Sequence, residues 1–186
     1  MSLERFKISR EDAYLLTIDI QERLVPAVDQ STFCSSRAER MLLAAKIFDL
    51  PGCVTEQYPK GLGPSVPEIA AAAEACGHPI FSKMSFNACI DEVMNHLEKS
   101  GRKSVIVTGV ETHVCVYQTT RALLEKGYKV FVPEDAVSSR TAENRLNALN
   151  QFRDMGACVT NTETILFDLL GVAGTPEFKA ISQLVK

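Results

Sequence analysis

A chain of 186 residues with 46% hydrophobic content and no compositional break has the material for one globular domain with a sizeable core, over residues 1–186. Its formal charge of -3 is spread without a basic block, and with 9 Phe, 4 Tyr and no Trp it offers neither a nucleic-acid groove nor a face for an anionic membrane. A small-molecule partner is the expected one. No apolar run approaches the roughly 18 residues of a membrane span, and the N-terminal stretch mixes charges without an apolar segment, so the chain is expected to be soluble and cytoplasmic.

In chain order, Ala13 to Asp19 is an apolar run ending in an acid and reads as a first strand. After a loop containing Pro26, Ser35 to Leu50 carries Met41, Leu42, Ala45 and Phe48 at helical spacing and stops at Pro51-Gly52. Cys53 to Glu56 is a second short strand. The Pro- and Gly-rich segment QYPKGLGPSVPE is a loop, and Ser65 with Glu68 three residues on predicts a capping box for the alanine-rich helix behind it. Gly61-Leu62-Gly63 lacks both phosphate-loop patterns.

Pro79 to Ser82 reads as a third strand, followed at once by Lys83, and Ile90 to Glu98 as a helix ending near Gly101. Val105, Ile106 and Val107, closed by Gly109, form the β-branched run of a buried parallel strand, and helical spacing begins at Val114. Lys129 to Val132 is a fifth strand, PEDAVSSR a turn-rich stretch, Ala142 to Asp154 a helix and Ala157 to Thr160 a sixth strand. Glu163 to Leu170 is helical, and Thr175-Pro176-Glu177 announces a last helix with a capping threonine and proline in its first turn.

Six strands alternating with helices predict an α/β fold: a doubly wound parallel sheet with helices on both faces. Sites in such sheets lie beyond the carboxyl ends of the strands, where the strand order reverses. In the order 3-2-1-4-5-6, strands one and four are neighbours at that crevice, which brings Asp19 toward Cys115. Two readings stand for Cys115: a small apolar residue packing a helix on the sheet, or a nucleophile whose thiolate is favoured by unpaired N–H groups in the first helical turn. Asp19 can likewise cap a neighbouring loop, and Lys83 can be a solvated surface residue. The other five cysteines, Cys34, Cys53, Cys76, Cys89 and Cys158, form no C-x-x-C pair, and reduced thiols are expected. His78, His96 and His113 have no zinc-ligand spacing, so no metal and no cofactor is expected.

DIQERL around Asp19, FSKMSF around Lys83 and GVETHVCV around Cys115, in that order, resemble the isochorismatase-like cysteine hydrolase superfamily, and VTEQYPKGLG resembles its isochorismatase-domain-containing branch. The resemblance runs from about Tyr14 to Leu170. It implies an Asp19-Lys83-Cys115 triad, a cis peptide between Val110 and Glu111, and backbone N–H groups of Glu111 and Cys115 as oxyanion donors. Asp19 would take the thiol proton while Cys115 attacks a carbonyl carbon, and water would cleave the thioester. Nicotinamidases of the superfamily carry a metal-binding D-x-H that TEQYPKGLG lacks, and isochorismatases proper lack the cysteine. A small amide- or ureide-like substrate is therefore expected. Gln21, Leu24, Tyr58, Leu62, Phe86 and His113 flank the triad in sequence and are candidate pocket walls. Homo-oligomers are common among proteins resembling this one. The alternatives are a non-catalytic binding or scaffold protein on the same fold, a redox enzyme, which the absence of C-x-x-C weakens, and a ribonuclease, for which there is no basic groove or histidine pair.

Overall fold

The apolar run Ala13–Ile18 forms β1, every residue of it buried, and it pairs in parallel with β2 (Gly52–Gln57) on one side and β4 (Ser104–Val110) on the other. The structure is a computed structural model and describes residues 3–186. The sheet is completed by β3 (Ile80–Lys83), β5 (Lys129–Pro133), β6 (Val137–Ser138) and β7 (Cys158–Thr160). Its order is β3-β2-β1-β4-β5-β7, all pairs parallel, which matches the expected order with Cys158–Thr160 as the sixth strand of the path. The addition is β6, two residues inside the turn-rich segment, which pair with Gly109 and Val110 at the end of β4.

Strand alternation splits the apolar runs between two cores. Leu15, Val54, Ile106 and Phe131 point to one face and pack under α1 (Ser31–Phe48), α3 (Pro67–Cys76), α7 (Thr162–Leu170) and α8 (Pro176–Leu184). Tyr14, Leu16, Cys53, Val105, Val107 and Val130 point to the other, under α4 (Asp91–Ser100), α5 (Tyr117–Glu125) and α6 (Ala142–Met155). Burial on both faces is why these strands read as unbroken hydrophobic stretches.

Several local expectations are corrected. Ser65 does not cap α3: its N–H and Oγ both donate to Glu56 Oε1, at 2.7 and 2.9 Å, and the helix starts at Val66-Pro67 without a side-chain cap. The nearby carboxylate of β2 outcompetes the helix for the hydroxyl. The loop after β2 contains a one-turn helix, α2 (Pro59–Leu62), and α1 begins at Ser31, four residues before the expected start. At the last helix the reading holds, with Thr175 Oγ1 accepting from the Phe178 N–H at 3.1 Å.

His78 Nε2 donates to the Leu50 carbonyl at 2.9 Å, and His96 Nδ1 lies 2.7 Å from the Tyr14 hydroxyl, so both serve the opposite end of the sheet from Asp19. All six cysteines are free. Among the described residues no helix is long and apolar enough to cross a membrane, and no group of three or more His, Cys, Asp and Glu is placed to hold a metal ion.

Candidate active site

The carboxyl ends of β1, β2, β3 and β4 converge on one buried cluster. Register places Ile18 opposite Thr55 on one side and Gly109 on the other, and Gln57 opposite Lys83. Asp19 follows β1 with φ 54°, a left-handed conformation that aspartate tolerates better than most residues, and this turns the chain off the sheet at the carboxylate. Gly109 allows the approach from the other side: a Cβ there would lie 2.0 Å from the Ile18 carbonyl oxygen, and its φ is +117°. Only glycine fits that contact.

Lys83 Nζ donates to Asp19 Oδ2 at 2.7 Å, and both side chains are fully withdrawn from solvent. Asp19 Oδ1 accepts from Thr55 Oγ1 at 2.8 Å. The Cys115 thiol lies near enough to the same carboxylate and to the Lys83 ammonium for both to act on its titration. The structure therefore brings the acid, the amine and the thiol together, from positions far apart in the chain.

The electrostatics correct one expectation. Cys115 does sit in a helical turn, a π turn over Thr112–Val116 ahead of α5, but its thiol is pushed up to about 12 rather than down. Burial is the main cause, the Asp19 charge adds to it, and Lys83 opposes both. At rest the sulfur is a protonated thiol next to a carboxylate, which suits proton transfer during attack better than a standing thiolate. Burial likewise holds the Asp19 carboxyl above its ordinary value, with Lys83, Thr55 and Cys115 pulling it back.

The peptide bond between Val110 and Glu111 is cis. The Glu111 side chain is clamped by Arg140, whose Nε and Nη2 donate to Oε2 and Oε1 at 3.0 and 2.7 Å, while the Arg140 N–H donates to Oε2 at 2.9 Å. Burial raises the Glu111 carboxyl, but the Arg140 hydrogen bonds and charge outweigh it, and the net direction is downward. On the other side, Thr119 Oγ1 donates to the Cys115 carbonyl at 2.6 Å and accepts from the Ala88 N–H at 2.9 Å, tying the turn to the loop behind Lys83.

The pocket-wall candidates divide. Gln21 is wholly buried and bonded to the backbone of Gln57 and Gly63, so it is a brace rather than a wall. Leu24 packs against the small cluster of Val28, Cys34 and Val110. Tyr58 and Phe86 are exposed, Leu62 is half-buried on α2, and His113 is half-buried with Nδ1 3.0 Å from Ser139 Oγ. Thr55, Gln57, Thr119 and Arg140 belong to the cluster and were not singled out from the sequence. For Thr55 and Gln57 the signal was present, since both sit on the end of the second strand two residues apart and so share a face. Arg140 carried no local signal.

The isochorismatase domain model matches residues 13–164. The chain belongs to the isochorismatase family. Within it the chain falls in the branch of isochorismatase domain-containing proteins, being 39% identical over 180 residues to isochorismatase domain-containing protein 2 of Danio rerio, with 96% of this chain and 89% of the relative covered. It is 43% identical over 175 residues to a secreted isochorismatase effector, Isc1, of Phytophthora sojae, covering 92% of this chain and 83% of that protein. Among solved structures, the MAR1 ribonuclease of Caenorhabditis elegans superposes with a TM-score of 0.91 at 38% identity, over 96% of this chain and 92% of that one. This isochorismatase-family chain thus resembles relatives whose names carry different roles.

Proposed function

We propose that this isochorismatase-family protein is a cysteine-dependent hydrolase of a small amide- or ureide-like substrate, with Asp19, Lys83 and Cys115 as its triad. The observation that carries the reading is a fully buried Asp19–Lys83 ion pair at 2.7 Å whose two charges both act on the Cys115 thiol. Perturbed, mutually dependent titrating groups at the carboxyl ends of parallel strands are the usual mark of a reactive centre.

As Cys115 Sγ bonds to the substrate carbonyl carbon, its proton passes to Asp19, and the carbonyl electrons move to oxygen. Backbone N–H groups of Glu111 and Cys115 stabilise that oxyanion, a contribution of about 3 kcal/mol per donor in comparable sites. The oxyanion collapses, the C–N bond breaks, and Asp19 returns the proton to the departing amine. Water then adds to the thioester carbonyl with Asp19 as base, releasing the acid and restoring the thiol. Lys83 balances the carboxylate charge. A homo-oligomer in the cytoplasm, with no metal or cofactor, completes this reading.

An ammonia-release screen over primary amides and ureides, run beside Cys115→Ala, tests it. Turnover of at least one compound that disappears in Cys115→Ala, with an unchanged circular dichroism spectrum, is the expected outcome. Turnover that survives in Cys115→Ala removes the nucleophile from the mechanism.

A ribonuclease reading draws on the name of the Caenorhabditis elegans relative. Against it stand the acidic net charge and a single nearby histidine, His113, where general acid and base catalysis on RNA commonly employs a pair. Incubation with single-stranded and structured RNA separates the two: cleavage lost in Cys115→Ala or Asp19→Asn would support the ribonuclease.

A further inference from the structure

Gln57 ends β2 opposite Lys83 of β3, and it is almost fully buried. The two ends of its amide have different partners. Nε2 donates to the Met84 carbonyl at 2.9 Å. A carbonyl only accepts, so turning the amide over would set oxygen against oxygen. That fixes Oε1 toward Lys83, whose Nζ donates to it at 2.7 Å, the same distance as to Asp19 Oδ2. The other acceptors around this ammonium, the carbonyls of Ser85 and Phe86, are farther away at 3.2 and 3.4 Å.

The backbone of Gln57 is held as firmly as its side chain. Its N–H donates to Gln21 Oε1 at 2.8 Å, and Gln21 Nε2 donates to the Gln57 carbonyl at 3.0 Å and to that of Gly63 at 2.7 Å. Two buried amides therefore join the end of β2, the loop after β1, the loop after β3 and Gly63. Such a buried network rigidifies what it touches.

We propose that Gln57 is a positioning residue that sets the Lys83 ammonium against Asp19, in the arrangement from which the carboxylate takes the Cys115 proton; the inference rests on the hydrolase reading above. The titratable groups facing Lys83 are Asp19, from the end of β1, and Cys115, from the turn after β4. Without the amide oxygen the ammonium keeps one close acceptor and two long ones, and it moves toward the loop carbonyls. Asp19 then loses the counter-charge that holds it ionised beside the thiol.

The test reads Cys115 itself, so it needs no substrate. Labelling by iodoacetamide near neutral pH is followed by peptide mass spectrometry, with half-buried Cys89 as the internal reference. Gln57→Met removes the acceptor at similar volume and is expected to slow Cys115 labelling about tenfold, the scale of a lost hydrogen bond to a charged group. The acid-side fall in Cys115 labelling is also expected to move to higher pH in Gln57→Met, because Asp19 is protonated more readily once the ammonium has shifted away from it. Cys89 labelling stays constant. If Gln57→Met does not fold, Gln57→Asn, which draws the amide back by one methylene, takes its place with the same expected loss.

Parent-like labelling of Cys115 in Gln57→Met overturns the inference while leaving the hydrolase reading intact. Slowing of Cys115 in Gln57→Met with no shift of its acid-side fall also overturns it, because the role would then lie in the Met84 bond alone. A Cys115 labelling rate that is the same in Asp19→Asn as in the parent removes the hydrolase reading and this inference together.

Discussion

Asp19 and Lys83 are 64 residues apart in the chain and meet at 2.7 Å, with neither side chain exposed to solvent. A buried ion pair of this kind gains little stability over an apolar pair of the same shape, because desolvating both charges consumes most of their attraction. Its place beside a thiol, at the carboxyl edge of the sheet, gives it a chemical use that stability does not explain.

Breaking that pair from one side should be costly. Asp19→Asn leaves an uncompensated ammonium in the interior, and urea unfolding is expected to show a loss of about 3 to 5 kcal/mol. The double variant Asp19→Asn/Lys83→Met should recover most of it. A single variant as stable as the parent would mean that Lys83 finds water on its own.

Gly109 sets the separation between β1 and β4. In Gly109→Ala the new methyl meets the Ile18 carbonyl at 2.0 Å, in a backbone conformation with φ +117°. A loss of about 3 kcal/mol or more is expected in thermal or denaturant unfolding, with Cys115 labelling slowed as the ends of the strands are forced apart.

The reactivity of Cys115 should follow the ionisation of Asp19. Burial raises that carboxyl above its ordinary 3.8, and a protonated Asp19 cannot accept the thiol proton. The Cys115 labelling rate is therefore expected to fall with acidification at a pH above 3.8. In Asp19→Asn the rate should be low throughout and lack this step.

Glu111 predicts a separate acid dependence. Its folded-state value lies below the ordinary 4.5 because Arg140 outweighs burial, so the stability it contributes is complete above 4.5 and is lost as pH falls through the folded-state value. Melting temperatures measured downward from about pH 5 should drop more steeply for the parent than for Glu111→Gln. Identical slopes would show that the clamp with Arg140 carries no linked stability.

The amino-acid order by itself determined the alternation of strands and helices and their succession across the sheet. Runs such as Ala13–Ile18 and Ser104–Val110 are apolar on both faces, and that pattern is dictated by a sheet covered on both sides. The motifs around Asp19, Lys83 and Cys115 were equally plain in the chain. Elements held by long-range partners were not. The two-residue strand Val137–Ser138 exists because the end of β4 offers it hydrogen bonds, and Ser65 abandons its helix because Glu56 lies closer. Tertiary structure also decided the state of the sulfur. A helical first turn argues for a thiolate, but burial beside the Asp19 charge holds the proton on Cys115, and only folding supplies both. The same holds for Gln57 and Arg140, whose importance lies in which buried charge each one faces, a relation set by the packing of distant segments.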